Sequence, residues 1–275
     1  MSKGVVGLFD IGATRTRLAI ATSPHEFSEH VSFATDTTAA GTKQLFDQLR
    51  VLVGDCRLTG LAGGVAGQIN PQTGTLWHAT NLPHWNGIAI GHEFTQAFGV
   101  KLAIGNDTAV VGLGEAVFGA GRGHHIVMYE TVSTGVNAAR ITGGVIDEMA
   151  QGIEVGAQLI LGSDGHLTTL EAATGGAALE RKYGHPPREL ALQGLWRSEA
   201  RLLALGLYNS LLHFSPDVVV FGGSMMRDIE LRDIERELKK LPLKWPRPVP
   251  LLHAQLGDNG GLFGALALAR TKGFV

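Results

Sequence analysis

Short apolar runs, each closed by a glycine or an acid, alternate with helical-period segments along this 275-residue chain. VVGLF at 5–9 stops at Asp10-Ile11-Gly12, and TRLAIA follows at 16–21, which predicts a hairpin of two strands. A third strand is expected near Glu29–Ala34, and Leu45, Phe46, Leu49, Leu52 and Val53 carry helical spacing within 38–54. LTGLAGGVAG is then a strand running into a glycine-rich loop. Between Gly67 and Gly87, Asn70, Pro71, Gly74, Asn81, Pro83 and Asn86 break any period and predict a long functional loop. A helix near Ala89–Phe98 and the strand KLAIG lead to Asn106-Asp107, an Asx start for a helix to about Phe118. HIVMYETV and VNAARI predict two more strands, Leu170–Tyr183 and Pro187–His213 predict helices, and DVVVF at 217–221 predicts a buried strand. A charged helix over Ile229–Leu241, a rigid connector at Pro242, Pro246, Pro248 and Pro250, and a terminal helix in GGLFGALALAR complete the chain. Strands interleaved with helices predict an α/β fold. The break near Gly105 predicts two sheet-centred lobes with a central cleft: 1–105, completed by the terminal helix 259–275, and 106–258.

Composition removes several function classes. The 38 glycines are roughly twice average usage. They have no three-residue period, so collagen is excluded. A 44% hydrophobic, 17% charged chain is not disordered. The net charge of −2 predicts neither nucleic acid nor an anionic membrane as partner. A single cysteine, Cys56, excludes a disulfide framework and a cysteine-based zinc site and fits a cytoplasmic location. No apolar run approaches the roughly 18–20 residues that span a bilayer. The apolar start GVVGLF meets Asp10 too soon for a signal peptide.

Four segments carry candidate chemistry. In DIGATRTRLAIA at 10–21, the hairpin tip offers backbone N–H groups, the Thr14 hydroxyl and the Arg15 charge to a phosphate, and Asp10 suits Mg²⁺ held through phosphate and water. An ordinary hairpin uses Asp and Gly in the same way. The turn at Ser133-Thr134-Gly135 repeats the pattern, and Gly222-Gly223 after an apolar strand lets backbone approach a flat ligand. Asp107 is a carboxylate at a helix start, where such a residue can accept a proton or cap the helix. There is no Walker motif and no GxGxxG after the first strand.

In order and spacing this set resembles the ROK family (repressors, unknown reading frames and kinases) of the actin–hexokinase–Hsp70 superfamily. The matching segments are DIGATRTR, GVAGQI at 64–69, NLPHWNG at 81–87 and GNDTAVVGLGEAVFGAG at 105–121, and the resemblance covers essentially the whole chain. It implies a two-lobed actin-like ATPase (ribonuclease H-like) fold. It also implies an ATP-dependent, Mg²⁺-requiring hexose kinase acting on O6, with Asp107 as base. Gly67, Asn81, Asn106, Asp107, Glu154 and Glu171 match the sugar contacts. Asp10, Gly12, Thr14, Arg15, Thr134, Gly135, Gly222 and Gly223 match the nucleotide side. Trp77 and Trp85 are expected to be structural. The same resemblance implies a homodimer and, because the chain opens directly on the kinase hairpin, the kinase branch and not the repressor branch.

The departures carry expectations too. The family zinc motif is replaced by GSDGHLTTLE at 162–171, which keeps only Glu171, and the family histidine is Ala157, so no zinc is expected. His166 alone is no site, and His124-His125 lies outside that segment. Ala13, Ala66, Asn137, Ala138 and Ala139 stand where the family often has glycine. Bulk at the second hairpin supports an alternative, a ROK-like sugar- or nucleotide-binding protein with weak or no catalysis.

Overall fold

Seven of the eight residues of β1 (Gly4–Ile11) are buried, and a strand covered on both faces reads as a continuous apolar run. The computed structural model containing it describes residues 4–38, 40–70, 72–148, 152–190, 193–242 and 248–275. Contacts group the chain into two units, Met1–Phe118 joined by Asp258–Val275, and Gly119–Gly257.

In unit 1, β1 is followed by β2 (Arg15–Ala21), β3 (Val31–Ala34), α1 (Gly41–Val53), β4 (Arg57–Val65), β5 (Gln68–Ile69), β6 (Leu76–His78), α2 (Ile90–Phe98), β7 (Lys101–Asn106) and α3 (Asp107–Val117). Five strands form one sheet in the order β3-β2-β1-β4-β7. The β1–β2–β3 pairings are antiparallel, and β1–β4 and β4–β7 are parallel. The apolar stripe of α1 buries Leu45, Phe46, Leu49 and Val53 in the core beside Phe9, Phe94 and Trp85. The Gly67–Gly87 stretch is not one long loop. It contains the β5–β6 hairpin and a 3-10 turn at Pro83–Trp85. The Asn70 side chain closes the hairpin by accepting from the Gln72 and Thr73 amides. Trp85 is buried and its Nε1 donates to the Thr38 carbonyl at 3.0 Å, so it is core, whereas Trp77 is exposed.

Unit 2 contains β8 (Ile126–Val132), β9 (Val136–Thr142), β10 (Val145–Ile146), β11 (Leu159–Leu161), β12 (Leu167–Thr169), α4 (Leu170–Thr174), α5 (Gly176–Tyr183), α6 (Gln193–Phe214), β13 (Val218–Gly222), α7 (Leu231–Leu238) and β14 (Leu251–His253). Its five-stranded sheet has the order β10-β9-β8-β13-β14, again with antiparallel hairpins at one side and parallel strands at the other. The helix expected over Leu170–Tyr183 is two helices. Gly175 between them is extended, with φ −68° and ψ 143°. The helix expected from Pro187 begins at Gln193, after a 3-10 turn at Pro187–Glu189. Leu192 and Pro246 lie outside the described residues.

The last helix, α8 (Gly260–Thr271), returns to unit 1 and packs on α3 and β4. A Cβ at Gly114 would stand 2.7 Å from both the Gly260 oxygen and the Gly264 nitrogen, so these helices cross with backbones in contact. This packing groups α3 with unit 1, and the contact division falls after Phe118, not after Gly105. Among the described residues no helix is long and apolar enough to cross a membrane.

Candidate active site

The carboxyl ends of the parallel strands of unit 1 line up in register. Asp10 on β1 lies opposite Gly64 on β4, and Gly64 lies opposite Gly105 on β7. Two strand spacings, about 10 Å, therefore separate Asp10 from the backbone that enters α3. In parallel α/β sheets, ligands bind beyond this end of the strands. Gly64 is glycine for space: a Cβ there would stand 3.0 Å from the Asp107 Cα.

Asp10 is buried and lies directly across the hairpin from Arg17. Its Oδ2 is 3.3 Å from Arg17 Nη1, and Arg17 Nη2 is 3.6 Å from Asp258 Oδ1. Burial pushes the Asp10 carboxyl up from the ordinary carboxylate range, and the Arg17 charge and hydrogen bond oppose that rise. A Cβ at Gly261 would collide with the Asp10 carboxylate, so α8 supplies a floor without side chain under it. The tip is tightly held. Gly12 N donates to the Arg15 carbonyl at 3.1 Å, Thr35 Oγ1 donates to the Gly12 carbonyl at 2.7 Å, and Thr35 N donates to the Thr14 carbonyl at 3.1 Å. Thr14 and Arg15 are exposed, with Arg15 Nη1 leaning 3.3 Å from Ser32 Oγ.

Asn106 caps α3. Its Oδ1 accepts from Ala109 N at 3.2 Å, and its Nδ2 donates to the Gly67 carbonyl at 2.9 Å. Gly67 needs φ +119°, and a Cβ there would stand 2.7 Å from the His78 carbonyl oxygen. Asp107, in the first turn of α3, accepts from Thr108 N at 2.7 Å through Oδ1. Asn106, Asp107 and Gly67 are thus one cluster. Asn81 is exposed on the segment after β6.

In unit 2, the tip of the β8–β9 hairpin holds Ser133, Thr134 and Gly135, with Ser133 N donating to the Gly135 carbonyl at 2.8 Å. Glu171 reaches this turn: its Oε2 accepts from Val136 N at 2.9 Å. Glu154 is exposed at the start of a 3-10 turn, Val155–Ala157. Gly156 in that turn packs against Glu171, whose Cβ would be 3.2 Å from a Cβ at Gly156. Gly222 and Gly223 end β13 beside Tyr129 and Val132 of β8, and Gly223 has φ +94°. On β8, Glu130 is fully buried with both carboxylate oxygens unpartnered, and burial pushes its carboxyl up to about 8.

The cysteine-free segment folds as the β11–β12 hairpin. Gly162 N donates to the His166 carbonyl at 2.8 Å and Asp164 Oδ1 accepts from His166 N at 3.0 Å. Among the described residues no group of three or more His, Cys, Asp and Glu could hold a metal ion. At the end of β1 Asp10 offers a single carboxylate, one oxygen of which is paired with Arg17. Sequence reasoning missed Arg17, Asp258 and Gly261 around Asp10. The signal for Arg17 is its mirror position across the tip, and that for Gly261 is the Gly260-Gly261 pair opening a helix.

A glucokinase from Streptomyces coelicolor is 26% identical over 250 residues, covering 75% of this chain and 78% of its own. The ROK hexokinase from Thermus thermophilus superposes with a TM-score of 0.81 at 25% identity, covering 98% of each chain. A ROK family glucokinase from Streptomyces griseus, solved with glucose and AMPPNP, superposes with a TM-score of 0.80 at 22% identity, covering 98% of this chain and 100% of that one. The fold is therefore the actin-like ATPase fold of the ROK sugar kinases. With the ROK family model matching residues 6–272, this chain belongs to the ROK family.

Proposed function

We propose that this protein is an ATP-dependent hexose kinase that transfers the γ-phosphoryl group to a sugar hydroxyl, O6, with Asp107 as general base. The observation that carries the reading is the placement of Asp107 in the first turn of α3, beside Asn106 and at the sheet end that also presents Asp10. Asp107 takes the hydroxyl proton as that oxygen attacks the γ-phosphorus, the bond to the β–γ bridging oxygen breaks, and ADP leaves. Gly67, Asn81, Asn106, Glu154 and Glu171 bind the sugar; the amides and carboxylates bridge adjacent hydroxyls. Gly12, Thr14, Arg15, Thr134, Gly135, Gly222 and Gly223 bind the nucleotide, the glycines by close backbone approach. Asp10 would hold Mg²⁺, and the ion when bound would neutralise phosphate charge. The protein works in the cytoplasm, as a homodimer, without zinc.

The alternative is a sugar- or nucleotide-binding ROK protein without efficient catalysis. Ala138 and Ala139 favour the kinase over it, because both are buried within β9 and not at the turn. ADP release coupled to an optical assay, screened over aldoses, ketoses and amino sugars with and without Mg²⁺, separates the two. We expect Mg²⁺-dependent turnover on at least one hexose, lowered about a hundredfold or more by Asp107→Ala. Near-parental rates in that variant would remove Asp107 as the base. Sugar and ATP binding by calorimetry without ADP release on any sugar would leave the binding protein.

A further inference from the structure

We propose that Glu171 is a positioning residue for the Ser133–Val136 turn, in addition to the sugar contact assigned to it above. The inference rests on the reading that this turn binds the phosphates of a nucleotide. Three hydrogen bonds tie the turn to one short stretch of chain. Val136 N donates to Glu171 Oε2 at 2.9 Å, Gly176 N donates to the Ser133 carbonyl at 2.7 Å, and Ala177 N donates to the Thr134 carbonyl at 3.0 Å. The glycines around it are there for space. A Cβ at Gly135 would collide with Glu171 Oε2, and one at Gly176 would stand 2.8 Å from the Ser133 carbonyl oxygen. A Cβ at Gly175 would stand 2.8 Å from the Glu171 carbonyl oxygen and 3.2 Å from that of Thr134.

Glu171 is itself fixed. Leu170 N donates to the Gln158 carbonyl at 3.0 Å, the Thr169 hydroxyl caps α4 by accepting from Ala172 N, and Gly175 N donates to the Glu171 carbonyl at 2.8 Å. A charged acceptor on a backbone amide at the start of a strand sets where the preceding amides point. A sugar ligand has no need of that bond, so the Glu171–Val136 contact and the emptied Gly135 position mark a second task. One carboxylate therefore touches both the proposed sugar side and the proposed phosphate turn within unit 2.

The test measures AMPPNP affinity by calorimetry in the absence of sugar, where a sugar ligand has no role, together with amide deuterium exchange over 133–136. Glu171→Ala is expected to weaken AMPPNP about tenfold and to speed exchange at Val136. Glu171→Gln retains an acceptor for Val136 N and is expected to stay within about threefold of the parent. Gly135→Ala displaces the carboxylate while leaving Glu171 in place, and is expected to reproduce the loss. In the double variant Gly135→Ala/Glu171→Ala the two losses are expected not to add, because truncation removes the atom the new methyl meets. Equal AMPPNP affinity in the parent and Glu171→Ala, or unchanged exchange at Val136, overturns the proposal. If the parent itself binds no AMPPNP while Val136 exchange still depends on Glu171, the nucleotide reading fails and this role falls with it.

Discussion

Glu130 is a carboxylic acid in a place built for a hydrocarbon. It lies on β8 between Met128 and Val132, which face a core that includes Phe221 and Ala138. Its carboxyl titrates at about 8 in the fold and near the ordinary 4.5 once unfolded. Between those values the folded protein holds a proton that the unfolded chain releases. The contribution of Glu130 to stability is therefore fully present below pH 4.5, falls as pH rises through the window at about 1.4 kcal/mol per pH unit, and levels off above about 8. Glu199, pushed up to about 7 by burial against the opposing charge of Lys182, adds to the fall and stops adding sooner. Urea unfolding at pH 5, 6.5 and 8 checks this. Glu130→Leu is expected to flatten the decline and to gain most over the parent at pH 8; parallel slopes in parent and variant would refute it. MYETV gave no warning, since a glutamate in an alternating strand ordinarily marks the wet face and β8 has no wet face there.

Among the elements, α3 depends most on its partner. It carries Asp107 at one end and crosses α8 at Gly114, Gly260 and Gly264. A Cβ at Gly264 would collide with the Val110 backbone, which no rotamer change relieves. Gly264→Ala is expected to cost about 2–3 kcal/mol in urea unfolding and to lower turnover as well, because separating the helices displaces the first turn of α3. A variant as stable as the parent would mean the crossing is looser than the glycines imply. Both helices were legible in the sequence, α3 from its Asx start and α8 from its apolar run, but their contact was not. Nothing local in GNDTAVVGLGEAV tells which later segment comes back to it. The same limit hid β11, β12 and β14, three residues each, whose existence depends on a pairing partner and not on period. The places of the candidate residues were more legible than the fold detail, because Asp10, Asn106 and Asp107 sit at strand ends and caps that short-range chemistry marks. The contacts of Arg17 and Glu171 were harder, since they lie across a hairpin and at a turn 35 residues away.

At the scale of the whole molecule, the two sheets share one plan: a three-strand antiparallel meander followed by two parallel strands. The repeat of the first hairpin tip at Ser133-Thr134-Gly135 is thus part of a likeness between whole sheets. In unit 2 the β11–β12 hairpin bares three leucines, Leu159, Leu161 and Leu167, which are 64%, 54% and 73% exposed. Leu161 pairs directly with Leu167, and an open groove of about 290 Å³ runs between this hairpin and Leu205 and Tyr208 of α6. Three half-bared leucines amount to roughly 300 Å² of apolar surface, part of the roughly 800 Å² that a stable interface covers on each partner. The homodimer proposed above can be tested at this surface. Light scattering is expected to give twice the 29.1 kDa chain mass, and Leu161→Lys with Leu167→Lys is expected to return it to 29.1 kDa. A parent that runs at 29.1 kDa would end the proposal. The same wiring has a consequence for synthesis. Unit 1 takes its floor under Asp10 from Gly261, so its first strand waits on residues made after all of unit 2. On the ribosome the interrupting segment can finish folding while the interrupted one is still open. A stop codon near residue 258 would therefore cost the half of the protein that carries Asp10 and Asp107, not a dispensable tail.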